Sequence, residues 1–359
     1  MLYRGSGQFK STYAQDQAIF PLAQDRWACA AALVVAFVVV PLWADEYWLQ
    51  AILIPFLVFA LLTIGLNILV GYCGQLSLGT GAFASVGAIS TYKLTTAFPD
   101  LNMIVVFLLS GLITAFVGIV FGSPSLRIKG FYLAVATLAA QFFINWISNR
   151  MAWFYNYSPS GSITAPPRKM FGVMVTGPEA SAEARYLLTL GIVMVLALLA
   201  KNLVRGHLGR SWMAIRDRDI AAELIGIRPL PAKLMAFAIS SFYIGVAGAL
   251  SIFTWLGGFD IGASFRVEIS FQVLFMVIVG GMGSILGSFM GAAFITSVPI
   301  LLTNLPPALG LQIDVALLKH FEVMFFGALI IFFLAVEPGG LARLWQIAKE
   351  KLRLWPFPH

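Results

Sequence analysis

The sequence predicts an all-α polytopic membrane protein of about ten transmembrane helices, and three observations carry that prediction. Hydrophobic residues make up 60% of the chain and charged residues only 11%, with a mean hydropathy of +0.89. A soluble domain of this length would need roughly twice as much charge, since about 25% is usual. Apolar stretches of spanning length recur along the chain, and the basic residues sit in short clusters beside them. That placement fits the positive-inside rule. A net charge of +7 and a pI near 9.5 therefore do not predict a nucleic-acid partner, because no patch tracks a phosphate backbone.

Residues 1–26 are polar, contain Arg4, Lys10 and Arg26, and read as a cytoplasmic N-terminal segment. The apolar run that follows is short enough to leave a cleaved signal peptide open, but the long leader favours an uncleaved first helix. Transmembrane stretches are then expected at 28–43, 52–70, 76–96, 103–122 and 131–148, and again at 186–204, 234–255, 269–286, 289–305 and 321–336. Together they form a transmembrane domain over 27–338, with an outer loop at 150–185, a cytoplasmic loop at 205–233 and a cytoplasmic tail at 339–359.

Charge tests the count, because one added or missing span inverts every later loop. With the N-terminus inside, Arg127 and Lys129, the 205–233 loop, and the tail with Arg343, Lys349, Lys351 and Arg353 all fall inside. Asp45, Glu46, Asp100, Asp260 and Asp314 fall outside. Arg150, Arg168, Lys169 and Arg185 also lie outside, in a long translocated loop that obeys the charge rule weakly. Ten spans with both termini in the cytoplasm satisfy this pattern.

Two Gly-rich stretches lie at inner turns, GYCGQLSLGTGAFASVGA at 71–88 and GGMGSILGSFMGAAF at 280–294. Ser77, Gly81 and Ser85, and then Gly283, Gly287 and Gly291, recur every four residues, the spacing that lets helices approach closely in lipid. A second reading stays open: 71–79 breaks a helix and exposes backbone polar groups to a path, with Asn67, Gln75, Ser77 and Gly79 as candidate lining residues. Gln141 and Asn145 fit either a cavity or interhelical hydrogen bonds. Lys93, near an outer end, extends its ammonium to the interface. No span carries a central carboxylate, which counts against an ion-driven carrier.

Catalytic and metal-binding signatures are missing from the sequence. His207, His320 and His359 lack the spacing of a metal site, and Cys29 and Cys73 form neither a metal motif nor a disulfide framework. No lysine follows a glycine, so no Walker A loop can form. The cluster Asp314, Lys319, His320 and Glu322 sits at a span boundary, where water solvates it.

The longest charged interruption is 205–233. Its interior, 211–225, contains no proline and predicts one amphipathic helix with Trp212, Ile215, Ala222 and Ile225 on an apolar face. Pro229 and Pro231 predict an extended exit. A rigid knob for a partner's groove and a basic loop lying on anionic lipid use the same residues, so physics alone leaves both open.

The stretch GRSWMAIRDRDIAAELIGIRPLPAKLMAFAISSFYIGVAGAL resembles the cytoplasmic coupling segment of the LivM-type permease subunits of branched-chain amino acid ABC importers. LTIGLNILVGYCGQLSLGTGAFASVGA, PSLRIKGFYLAVATLAAQF, VIVGGMGSILGSFMGAA and the closing GGLARLW extend the resemblance, in order, over most of the chain from about residue 62. Coupling loops of permeases resemble Glu-Ala-Ala followed after three residues by Gly; Ala221, Ala222 and Gly226 keep that spacing, Ile220 stands in place of the acid and Asp219 precedes it. The outer stretch YNYSPSGSITAPP lacks the TGG-type run of the branch.

The resemblance implies an ABC importer permease fold in the bacterial inner membrane, working by alternating access. It implies a second permease subunit, a different LivH-type chain, with two ATPase subunits that bind ATP and Mg, so that this chain carries no cofactor and no enzymatic activity. A periplasmic solute-binding protein would deliver leucine, isoleucine, valine or other amino acids, or urea or short-chain amides in related systems. Arg210, Trp212, Arg216, Asp219, Ala221, Ala222 and Gly226 are the implied ATPase contacts. A stand-alone channel or secondary carrier and a membrane scaffold are the competing readings.

Overall fold

In a computed structural model of the chain, residues 11–12, 23–125, 131–170, 172–177, 180–260, 264–308, 314–337 and 339–354 are described. Arg4, Lys10, Arg127, Lys129 and His359 lie outside them. Helix α1 covers Ala23–Val34, a π-helical Val35–Val39 and Val40–Trp43; α2 spans Trp48–Tyr72. Then come α3 (Thr80–Ala97), α4 (Met103–Ser125), α5 (Phe131–Arg150), α6 (Ala182–Arg205), α7 (His207–Asp217) and α8 (Asp219–Leu224). The chain continues with α9 (Pro229–Leu256), α10 (Val267–Gly280), α11 (Ile285–Ala308), α12 (Val315–Val336) and α13 (Gly340–Leu354). Such uninterrupted helices are what lipid demands, since every backbone polar group at that depth needs an internal partner.

Among the described residues, six helices are long and apolar enough to cross a membrane: α1, α2, α4, α6, α9 and α11. The interior is built on α2 and α9, most of whose residues are buried, and α9 packs against α2, α3 and α4. The outer helices turn large apolar side chains outward, Leu42, Phe116 and Ile331 among them. Without a hydrophobic drive between helices in lipid, close packing has to hold them together. It does so between α3 and α9, where a β-carbon on Gly248 would lie 2.0 Å from the Ala84 carbonyl oxygen and one on Gly87 would lie 2.1 Å from that of Gly245. The glycine stripe of α11 packs on α10 in the same way, Gly291 facing the Met276 carbonyl. Tyr186 donates to the Ala36 carbonyl (3.1 Å) and so ties α6 to α1.

Two predicted boundaries move. The stretch expected at 76–96 begins its helix only at Thr80, because residues 73–79 form a turn and an irregular run. The stretch expected at 269–286 stops at Gly280, because the chain turns at Gly281 with φ 115°, a conformation open to glycine and costly for other residues. The Gly-rich stretches thus combine close packing within the helices with a break before α3.

Two short antiparallel pairs, which an all-α reading did not anticipate, close one end of the bundle. Strand β1 (Ser162–Thr164) pairs with β4 (Gly258–Asp260), with Ile163 opposite Phe259, and β2 (Arg168–Met170) pairs with β3 (Val173–Thr176). The Arg168 guanidinium donates to the Thr95 carbonyl, so the segment after α5 meets the ends of α3 and α9. At the other end of α9 lie α7, Gly71 and the turn at Gly281 and Gly283, on which Gly340 rests. There the Lys349 ammonium pairs with Asp25 at 2.9 Å, joining α13 to the start of α1.

Candidate functional site

The segment after α6 folds as two helices at a sharp corner. At Gly209 a β-carbon would lie 1.9 Å from the Val204 carbonyl oxygen, so α7 folds back tightly on α6. Trp212 is wholly buried, and its indole N–H donates to the Ala232 carbonyl (2.9 Å), fastening α7 to the first turns of α9. Ile215 is buried beside it. The single helix predicted over 211–225 is broken at Arg218, whose extended backbone (φ −156°, ψ 105°) ends α7 and starts α8. The break lets Trp212 stay packed on α9 while α8 swings to its own angle. Gly226, at φ 89°, then stops the chain from continuing as helix. Pro229 is the first residue of α9, where a missing N–H costs nothing; the expected extended exit shrinks to Arg228.

This folding divides the implied contact residues. Trp212 and Ala222 are buried within the chain and brace the segment from inside, while Arg210, Arg216, Ala221 and Gly226 are exposed and Asp219 is half-exposed. Ile225, predicted on the buried face, is 73% exposed. With Ile220 at 70% and Leu224 at 84%, it forms an apolar tip bordered by Arg218, Glu223 and Arg228. Ile220 and Leu224 are one helical turn apart, so they share a side of α8. Sequence reading missed both, although an i, i+4 apolar pair beside the Ala-Ala step was there to be seen.

Behind the tip, Arg216 reaches the membrane body. Its Nη1 donates to the Gly71 carbonyl (2.9 Å), and its Nε pairs with Asp217 at 3.0 Å. Gly71 in turn abuts Gly283. Asn67, one turn earlier, brackets the same junction: its amide nitrogen donates to the Ser284 carbonyl and to Ser288 Oγ, both at 2.9 Å, and its Oδ1 accepts from the Gly283 N–H at 2.8 Å. Asn67→Ala would leave buried donors and acceptors of the α10–α11 turn unpaired, at about 1–3 kcal/mol. The expected result is a thermal unfolding midpoint in detergent lower by about 3–6 °C; an unchanged midpoint would refute the bracket.

The four candidate path residues do not converge on one cavity. Asn67 is spent on the α10–α11 turn. Gln75 donates to the Cys73 carbonyl (3.2 Å), Ser77 Oγ accepts from the Gly79 N–H (3.4 Å), and Gly79 lies buried against Phe83 and the Thr137 carbonyl. The break they occupy exposes the first N–H groups of α3, and neighbouring helices satisfy these. Leu78 N–H donates to Thr137 Oγ1 (2.9 Å), Gly81 N–H to Ser270 Oγ (2.8 Å) and Ala82 N–H to Gln141 Oε1 (2.6 Å). Gln141 Oε1 also accepts from Ser270 Oγ (3.1 Å) on α10, so the interhelical reading holds for Gln141, while Gln141 and Asn145 both donate to the Phe265 carbonyl in the turn before α10. Thr137 and Ser270 carried no signal of their own in the sequence.

A family described as "Branched-chain amino acid transport system / permease component" matches residues 48–334. The chain is similar to the high-affinity branched-chain amino acid transport system permease protein LivM of Salmonella typhimurium, 28% identical over 304 residues, 79% of this chain and 68% of that protein. It is 31% identical over 247 residues to the protein of the same name in Escherichia coli, covering 64% of this chain and 57% of the relative. A probable branched-chain amino acid transport permease protein LivM of Methanocaldococcus jannaschii is 25% identical over 337 residues, 82% of this chain and 92% of the relative. No solved structure matches the chain.

Proposed function

The chain belongs to the permease component family of branched-chain amino acid transport systems, and from that premise we propose that it is the LivM-type permease subunit of an ATP-driven importer of branched-chain amino acids in the bacterial inner membrane. It works beside a second, LivH-type permease, two ATPase subunits that bind ATP and Mg, and a periplasmic binding protein. The chain is a transport subunit, and its own chemistry is conformational.

The observation that carries this reading is the apolar tip of Ile220, Leu224 and Ile225 on a braced α7–α8 corner. An exposed apolar cluster on a rigid mount is costly in water and marks a protein contact. The knob has a groove to fill on the ATPase. Arg216 and the Trp212 indole connect that knob to α2 and α9, so a pull on α8 reaches the two most buried helices. Inverting an equilibrium from 1:99 to 99:1 takes about 5.5 kcal/mol, which ATP binding to the partner supplies through this contact.

Ten spans with both termini in the cytoplasm belong to the same proposal. Each of the ten apolar stretches overlaps a helix, and the loops sort by contact into two groups. The segments after α3, α5 and α9 meet at the small sheets, and those after α2, α6 and α10 meet around Arg216. That alternation supports the topology. Labelled leucine and labelled urea should be presented to proteoliposomes holding the full complex. Leucine uptake that requires ATP and the ATPase subunits is expected; uptake by this chain alone, or of urea only, would overturn the assignment.

A further inference from the structure

A laterally open cleft of about 700 Å³ lies between α3, α4 and α5, well away from the α7–α8 corner. Its walls are aliphatic and aromatic, with Val86 and Ile89 on α3, Val117 and Phe121 on α4 and Ile147 on α5. It extends along α3 from Val86 to Ala97, which at 1.5 Å per residue is about 17 Å, close to the depth of one leaflet of a roughly 30 Å hydrocarbon core. Phe143 and Ile113, on the walls, are partly exposed, so the cleft opens sideways toward the surroundings of the bundle.

One cation stands in it. The Lys93 ammonium lies at the end of α3 that meets the small sheets, 4.4 Å from the centre of the Trp153 ring. No aspartate or glutamate lines the cleft, and among the described residues no carboxylate pairs with Lys93. An ammonium at the mouth of an apolar slot one leaflet deep is complementary to a molecule with an anionic head and a long apolar tail. A free amino acid fits less well, because its ammonium finds no carboxylate among the lining residues and meets a second cation.

We propose that this cleft holds one acidic phospholipid, its phosphodiester on Lys93 beside Trp153 and one acyl chain along α3 between α4 and α5. Because lipid tails are as apolar as the walls, the chain itself gains little on entering. Selectivity therefore comes from the headgroup, and from Lys93.

Native mass spectrometry on the purified, delipidated transporter complex tests this, titrating with phosphatidylglycerol and with phosphatidylcholine of matched chains. The expected result is one retained phosphatidylglycerol with about a five- to tenfold preference over phosphatidylcholine. Lys93→Gln should erase the preference and Lys93→Arg should keep it. Val117→Trp, which fills the slot, should reduce retention of both lipids. Equal binding of the two lipids to the parent protein, or a preference unchanged in Lys93→Gln, would overturn the proposal. So would an oxidant-induced disulfide between Ile147→Cys and a cysteine introduced on a helix of the partner permease, since that helix would occupy the cleft. None of these outcomes bears on leucine uptake or on the ATPase contact, which stand or fall separately.

Discussion

Leu224→Asp is expected to release the ATPase subunits and abolish ATP-driven uptake while leaving the chain folded. Leu224 is 84% exposed and contributes nothing to the interior, so a carboxylate there costs the isolated chain little. In a complex its side chain would enter an apolar pocket, and a charge carried into such a pocket without a partner is penalised far beyond the lost contact. Loss of one central anchor typically costs at least about 2 kcal/mol, or roughly thirtyfold in affinity, and the buried carboxylate adds to this. Glu223→Gln, next to it and also exposed, should leave binding within about twofold. Pull-down of ATPase subunits from solubilised membranes reads both. Retention of the ATPase by Leu224→Asp at the parental level would disprove the tip as the docking site.

A second large effect is expected from Gly248→Val, which should yield almost no monodisperse protein on size exclusion. The first added carbon would meet the Ala84 carbonyl oxygen at 2.0 Å. Because the obstacle is backbone and not a side-chain end, no rotamer change relieves it, and α9 must move away from α3 as a unit. Overpacking in a core usually costs about 1–3 kcal/mol when side chains can yield; here the loss spreads to every contact along the two helices, including that of Gly87 with Gly245. Gly191→Val is the matched control, since a β-carbon at Gly191 meets nothing within 4 Å. That variant should be produced near the parental level. Comparable yields from the two variants would mean that the α3–α9 contact does not set the fold.

Much of the architecture was legible in the sequence because lipid imposes simple rules. Apolar length marks the helices, and the ten expected stretches all overlap helices, six of which, among the described residues, are long and apolar enough to cross a membrane. The start of α3 was misplaced by four residues since 76–79 is apolar enough to pass for helix; what holds this run is Thr137 on another helix, which no local pattern reports. The β1–β4 pair was invisible for the same reason, since its strands are almost a hundred residues apart. At the candidate site, amphipathic spacing correctly buried Trp212, Ile215 and Ala222. It failed at Ile225 because it assumed one continuous helix, and nothing in Arg218 itself announces the break. Trp212 shows the limit most clearly. A tryptophan in a basic segment suits a partner's pocket and its own chain's interior equally well, and only the Ala232 carbonyl decides between them.

Helix α9 carries the Trp212 clamp at one end and leads into the β1–β4 ladder at the other. Its 28 residues make a rod of about 42 Å. Pivoting such a rod about its middle by about 10° would shift each tip by about 4 Å in opposite senses. In the proposed importer such a pivot would carry the α7–α8 corner and the small sheets in opposite senses, the relation that alternate opening of two mouths requires.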